Sequence, residues 1–400
     1  MAGALEGIRI LDATWALSGP FATMTLCNLG ADTIKIEKPG SGDMTRNNMP
    51  RLDGLSLYYA SVNSGKKSIA VDLKTTEGKA LFVELIKQVD IFVENFVPGT
   101  MDRLGIGYEV LKEHNPRLIY AACSGFGQTG PYRGKPALDI IAQGMSGIMS
   151  ITGEEGRPPV RVGVSIGDVV AGLFLSVGIL SALIERTSSG LGQMVDVSML
   201  DSQVAIMENA FVRYLNTGEI PKRIGTRHPL ATPFQAFQTK DGYVVVSASG
   251  GIEQWAAFTE LIGKPDLLSD ERFHDKDTRT EYHSLLEPII AEALKQKTTQ
   301  EWIAAFEQYA IPCGPLNSIP DVTVDPQILH REMFAEVVDY KKRKVKICST
   351  PVKLSRTPAK LAKGAPGLGE HTHEVLSNLL GLDDAKIKAL EDQGTIAGLD

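Results

Sequence analysis

The sequence predicts an α/β protein: a large domain on a mostly parallel sheet, with a smaller α+β domain inserted in it. Two observations carry this. Short β-branched runs alternate with helical patterns through the first half of the 400-residue chain, the signature of βαβ units. After Gly218 the texture changes to a hairpin pattern followed by further helices. A chain of this length, 43% hydrophobic and 22% charged, has room for two full-sized cores.

Taken in order, IRILDAT (8–14), DTIKIEK (32–38), KSIAVDL (67–73), DIFVENF (90–96) and RLIYAACS (117–124) read as buried strands. Between them, GPFATMTLCNLG and TTEGKALFVELIKQ read as helices, with Pro20 near a start, Gly30 at an end and Thr75 as an N-cap. Ligands in such sheets bind beyond the carboxyl ends of the strands. Five loops, TWALSGP, EKPGSGD, LKTTEGK, NFVPGT and SGFGQTGP, fall there. MVDVSMLDSQVAIMENAFVRYLNTG reads as one long helical pattern ending near Gly218. Two alternating runs in PFQAFQTKDGYVVVSASGG, joined by Lys240, Asp241 and Gly242, then signal a hairpin, and IEQWAAFTELIG and TTQEWIAAFEQYA are helical. The expected organisation is residues 1–220 for the first part of the large domain, 225–320 for the small one, and 325–400 for a return segment. That segment opens on another hairpin from Phe334 and closes with two short helices.

Composition excludes several classes of function. A net charge of −7 gives no general affinity for nucleic acid or an anionic membrane, so an anionic ligand needs a local basic cluster. Lys38, Lys74 and Arg103, at or after strand ends, could form one. Four scattered cysteines without a CxxC pair read as reduced thiols, with no disulfide framework and no metal site. MAGALEGIRI lacks the pattern of a secretory leader, so a cytoplasmic location is expected. GFGQTG (125–130) matches the dinucleotide fingerprint GxGxxG, but Pro131, Tyr132, Arg133 and Gly134 follow where a phosphate-binding helix should open. No nicotinamide cofactor is expected, and the loop reads as part of a ligand mouth. KKRKVK (341–346) reads as a solvated hairpin tip. His371 and His373 are spaced i, i+2, which does not put both on one helix face.

Asp168 is the only charged residue between Arg161 and Glu185. A lone carboxylate among apolar residues is capped, paired, neutral or chemically employed, because burying its charge costs several kcal/mol. The segment after it, VVAGLFLSVGILSALIE, reads as a helix. Asp168 can therefore be an N-cap or a functional carboxylate kept ionised by the helix dipole, and a membrane span is a third reading of the same run.

The motifs LGADTIKIEKPGSGD, NSGKKSIAVDLKTTEGK, VENFVPGTMDRLG, NPRLIYAACSGFGQTGP, the segment around Asp168, IPCGP and LGEHT, in this order, closely resemble the class III coenzyme A transferases, the CaiB/BaiF type that includes formyl-CoA:oxalate and acetyl-CoA:oxalate CoA-transferases. The resemblance spans nearly the whole chain. It implies a ring-shaped subunit with a Rossmann-like large domain and a small domain, interlocked with a second copy as a homodimer. It implies that Asp168 is the nucleophile toward an acyl-CoA thioester, with a small carboxylate as co-substrate and no metal. By the same resemblance CoA is held by Trp15, Ala16, Leu17, Ser18, Lys38, Val71, Lys74, Asn95, Phe96, Arg103, Lys135 and Met199. Gly250 and Gly251 would form a loop over the reacting acyl group, with main-chain N–H groups for an oxyanion. Acyl-CoA racemases of the same fold carry His before Asp where this chain has Leu138 and Asp139, which favours transfer over epimerisation. Leu17 and Asn48, with Leu138 lining the acyl site, depart from the formyl-CoA pattern and point to a larger acyl group, acetyl or succinyl. A racemase and a non-catalytic CoA-binding protein remain the alternatives.

Overall fold

The computed structural model describes residues 3–359 and 363–399. Five of the apolar runs form parallel strands: β1 (Arg9–Asp12), β2 (Asp32–Glu37), β3 (Lys67–Val71), β4 (Ile91–Glu94) and β5 (Ile119–Ser124). A sixth, β6 (Met194–Ser198), corrects the reading of residues 194–218 as one helical pattern. Its MVDVS pairs in parallel with β5, Met194 opposite Tyr120, and helix begins only at Met199. The order across the sheet is β3-β2-β1-β4-β5-β6. Strand order therefore reverses between β1 and β4, the place where an open α/β sheet forms its ligand crevice.

Each central strand is buried on both faces, which explains its nearly continuous apolar sequence. Leu11, Phe92 and Tyr120 face one core layer with Phe82 and Leu85 of α2 (Thr76–Ile86). Ile10, Ile91 and Ile119 face the other, with Leu26 of α1 (Ser18–Asn28) and Leu175 and Ile179 of a long helix. Thr75 caps α2, accepting the Gly78 N–H. A short helix, α3 (Asp139–Ser146), precedes the long one, α4 (Ile166–Ser189), and α5 (Met199–Ile206) follows β6. By length and composition α4 could cross a membrane; here Val170, Ala171, Leu175 and Ile179 are buried in the core. Gly172 lets it pack directly on α1, since a Cβ there would stand 2.6 Å from the Ser18 carbonyl oxygen.

Residues Met149–Val160 and Ile220–Leu329 make a second compact unit. The expected span of 225–320 left out 149–160, whose contacts run to residues distant in sequence: Gly225 N–H donates to the Gly153 carbonyl at 2.8 Å, and Arg223 to the Arg157 carbonyl at 3.0 Å. This unit contains the hairpin β7 (Phe234–Gln238) and β8 (Tyr243–Ser247), a third strand β9 (Cys313–Pro315), and helices α6 (Ile252–Leu261), α7 (His283–Leu294) and α8 (Thr299–Glu307). Stacked Trp255, Phe258, Trp302 and Phe306 dominate its core.

The chain then returns to the first unit through the hairpin β10 (Phe334–Val338) and β11 (Lys344–Cys348). Lys341 and Lys342 occupy its tip, but Arg343 is tied down by Asp339 at 2.6 Å and is not part of a solvated basic run. Helices α9 (Thr372–Leu380) and α10 (Asp384–Asp392) follow, and β12 (Ile396–Ala397) adds antiparallel to β3. His371 accepts from the Ser68 N–H while His373 meets Glu391, so the two imidazoles serve different neighbours.

Candidate active site

A cavity of about 550 Å³ opens at the reversal of strand order, where the loops after β1 and β4 meet the start of α4. The β1 loop is rigidly held. Trp15 N–H donates to Asn95 Oδ1 at 2.8 Å, and Asn95 Nδ2 returns a bond to the Trp15 carbonyl at 2.7 Å. Ala16 is left-handed, φ 62°, a conformation costing a non-glycine residue about 1 kcal/mol and kept where surroundings over-determine it. The Trp15 and Phe96 rings meet edge to face at 5.9 Å.

Beneath this loop lies a buried charge network. Lys66 Nζ bonds Asp12 Oδ2 at 2.9 Å, and Lys35 Nζ pairs with Asp43 Oδ2 at 3.1 Å. Arg46 forks onto Glu37 at 2.6 and 2.8 Å. Three cations thus face three carboxylates. Asp12 also accepts the Thr14 N–H at 2.9 Å, so the network fixes the residue that starts the loop.

Asp168 lines the cavity at the third position of α4. The cap expected there lies elsewhere. The helix begins two residues earlier, after Ser165, and the carboxylate that takes up its end is Asp139, whose Oδ1 accepts the Gly167 N–H at 2.9 Å. Gln143 Nε2 holds the other Asp139 oxygen at 2.8 Å. Gly167 must be glycine for this fit: a Cβ would stand 2.6 Å from Gln203 Nε2. Asp168 itself accepts no hydrogen bond among the described residues. Burial, and then the neighbouring Asp139 charge, push its carboxyl up to about 7. Desolvation without a hydrogen-bond donor raises the group even in the first turn of the helix, where the dipole favours the ionised form.

Trp15, Ala16, Leu17, Ser18, Asn95, Phe96, Lys135, Leu138 and Met199 line the same cavity. Lys38, Val71, Lys74 and Arg103 do not. They line a second cavity of about 380 Å³, together with Ala13, Ile36, Leu73 and the same Trp15 and Phe96. A largely apolar lining with three cations, Lys38, Lys74 and Arg103, and two carboxylates, Glu37 and Asp72, has room for a planar base and charges for its phosphates. Gly250 and Gly251 belong to the second compact unit. The Gly250 N–H donates to Gln254 Oε1 at 2.8 Å, and Gly251 caps α6. Tyr58 and Arg161 also line the Asp168 cavity and were not singled out from sequence. Burial, with Asp168 close by, pushes the Tyr58 hydroxyl above its ordinary range. Neither residue lies in a motif, so only the fold reveals it.

CoA-transferase family III matches residues 5–372 as a whole. The chain belongs to CoA-transferase family III. Succinyl-CoA:glutarate CoA-transferase of Homo sapiens is 39% identical over 393 residues, 98% of this chain and 90% of that protein. Acetyl-CoA:oxalate CoA-transferase of Acetobacter aceti is 42% identical over 354 residues, 88% of this chain and 90% of its own. A solved CAIB/BAIF family protein from Brucella suis superposes with a TM-score of 0.85 at 36% identity, covering 95% of this chain and 100% of that one. As a member of that family, this enzyme is a CoA-transferase.

Proposed function

We propose that this enzyme moves CoA from an acyl-CoA, succinyl-CoA or acetyl-CoA, to a small carboxylic or dicarboxylic acid through covalent intermediates on Asp168. The observation that carries this is a carboxylate without a hydrogen-bond partner among the described residues, in a cavity that shares Trp15 and Phe96 with a slot lined by three cations. Such an oxygen keeps its lone pairs for a carbonyl carbon. Asp168 attacks the thioester, the C–S bond breaks, and CoA thiolate leaves a mixed anhydride. The thiolate then attacks the aspartyl carbonyl, releasing the donor acid and forming an aspartyl-CoA thioester. The acceptor carboxylate attacks that thioester in turn, and the expelled thiolate takes the acceptor acyl group, restoring Asp168. Every step exchanges one acyl bond for another, so no oxidant or reductant enters.

No histidine is among the described walls of the Asp168 cavity, and Leu138 stands where an epimerase would need an imidazole; this supports transfer over racemisation. Exposed Leu173, Phe174 and Val177 on α4 with Ile140 and Ile141 on α3 supply an apolar surface, which supports a homodimer. The four unpaired cysteines suit a reducing compartment, and we place the enzyme in the cytoplasm.

The decisive experiment traps the intermediate. Incubation with acyl-CoA followed by hydroxylamine converts an aspartyl-CoA thioester to a hydroxamate, and peptide mass spectrometry should find it on Asp168 alone. No adduct on Asp168 from any acyl-CoA refutes the covalent reading. Because only the ionised carboxylate attacks, kcat/KM falls about tenfold per pH unit below a midpoint near 7 and levels off above it; a pH profile flat through that region contradicts Asp168 as nucleophile. Arg103→Ala raises KM for acyl-CoA by roughly 3–10-fold with little change in kcat, as expected for an exposed charge that binds ground state and transition state alike. A fall in kcat with unchanged KM would place Arg103 outside the nucleotide slot.

A further inference from the structure

Among the described residues, the Asp168 cavity is lined by two cationic side chains, Lys135 and Arg161. Lys135 is engaged, with Nζ 3.9 Å from the centroid of the Tyr132 ring. Arg161 is not. Its guanidinium lies 3.6 Å from Asp139 Oδ2, a charge pair longer than a hydrogen bond, and its side chain is 44% exposed. Both Asp139 oxygens are already occupied by the Gly167 N–H and Gln143 Nε2. Asp139 is thus a fixed counter-charge that keeps Arg161 near the start of α4 without using up its donors. An arginine held this way is a receptor for a planar anion, because a carboxylate accepts two parallel N–H bonds from one guanidinium. The phosphates of an acyl-CoA have a separate set of cations in Lys38, Lys74 and Arg103.

We propose that Arg161 binds the free carboxylate of a dicarboxylic acyl group whose other end reacts at Asp168, and so selects dicarboxylates over neutral acyl groups of the same length. The inference rests on the Asp168 reading above and adds a substrate class and a specificity residue to it. The charge balance gives the reason. A dicarboxylate brings a further anion to a cavity that already holds the Asp139 and Asp168 carboxylates, and Arg161 is the cation paired with Asp139, at 3.6 Å, whereas Lys135 lies over the Tyr132 ring.

The test compares succinyl-CoA with its distal methyl ester as donors to one acceptor acid. The ester keeps the chain and loses the charge. Wild-type enzyme should prefer succinyl-CoA by about 10–100-fold in kcat/KM, the worth of a charged hydrogen-bonded contact. The preference should fall to near parity in Arg161→Gln and return in part in Arg161→Lys. Equal use of the two donors by wild-type enzyme overturns the proposal without any variant, and so does an Arg161→Gln enzyme that retains the preference. The two readings fail differently: if neither donor leaves a trappable adduct, the covalent role of Asp168 is lost, whereas adducts formed equally well from both donors remove only the role of Arg161.

Discussion

Asp168→Asn abolishes transfer, lowering kcat by on the order of 10⁴-fold or more as expected when a covalent nucleophile is removed, and it makes the protein more stable. The second effect follows from the setting of the carboxylate. Asp168 is half-buried, accepts no hydrogen bond from the described residues and sits beside the Asp139 charge, so its carboxyl rises from 3.8 to about 7 on folding. A raised carboxyl means that the native state holds a proton which the unfolded chain has released. Between 3.8 and about 7 stability therefore falls as pH rises, and above that window the full penalty of the ionised group is present. Asparagine carries no charge to penalise. Its melting temperature should match that of wild type in acid and exceed it at about pH 8, by the equivalent of roughly 2–4 kcal/mol. A cap would behave in the opposite way, with loss of the carboxylate costing about 1 kcal/mol at neutral pH. Thermal melts of wild type and Asp168→Asn across this range decide the sign; a destabilised variant would return Asp168 to a structural role.

Lys66→Met destabilises the protein by about 3–5 kcal/mol, because it leaves the fully buried Asp12 without its closest cation. Burial alone would push the Asp12 carboxyl up. The Lys66 and Lys35 ammonium groups and the hydroxyls of Thr14 and Thr23 outweigh it and hold the group well below the usual carboxylate range. A depressed carboxyl stabilises the fold above its unfolded value and loses that contribution only as pH falls through the folded one, so this support persists into strong acid. Pairing Lys66→Met with Asp12→Leu should recover most of the loss, since two apolar side chains need no partner. Urea unfolding of the three variants measures both terms, and a single substitution costing under about 1 kcal/mol would show that the pair does not hold the fold. The damage should reach the site as well. Asp12 positions Thr14 and Lys66 also donates to the Pro20 carbonyl, so the segment between them loses anchors at both ends.

The first five strands were readable because each is a short β-branched, mostly apolar run between clear helix signals, Lys35 in β2 being the one charge inside them. β6 was not, because MVDVS continues into MLDSQ without a turn residue and the apolar pattern suits either structure. The cap of α4 shows a different limit. Local spacing offers Asp168, yet the working carboxylate, Asp139, lies 28 residues before Gly167 and meets it only in the folded chain. Sequence motifs likewise brought Trp15, Asn95, Phe96 and Asp168 to one place. They could not divide the basic residues between two cavities, because that depends on which strand end each one follows. Arg161 carried no signal beyond marking the edge of an uncharged stretch.

The course of the backbone through residues 149–160 constrains how the protein can be taken apart. A gene fragment encoding 220–329 lacks the stretch that Gly225 and Arg223 hydrogen-bond, and a fragment ending at 219 carries that stretch without its partners. Neither half is a self-sufficient piece. Exchanging the second unit between relatives therefore takes two coordinated grafts, one at 149–160 and one at 220–329, and the first ends on the residue before Arg161.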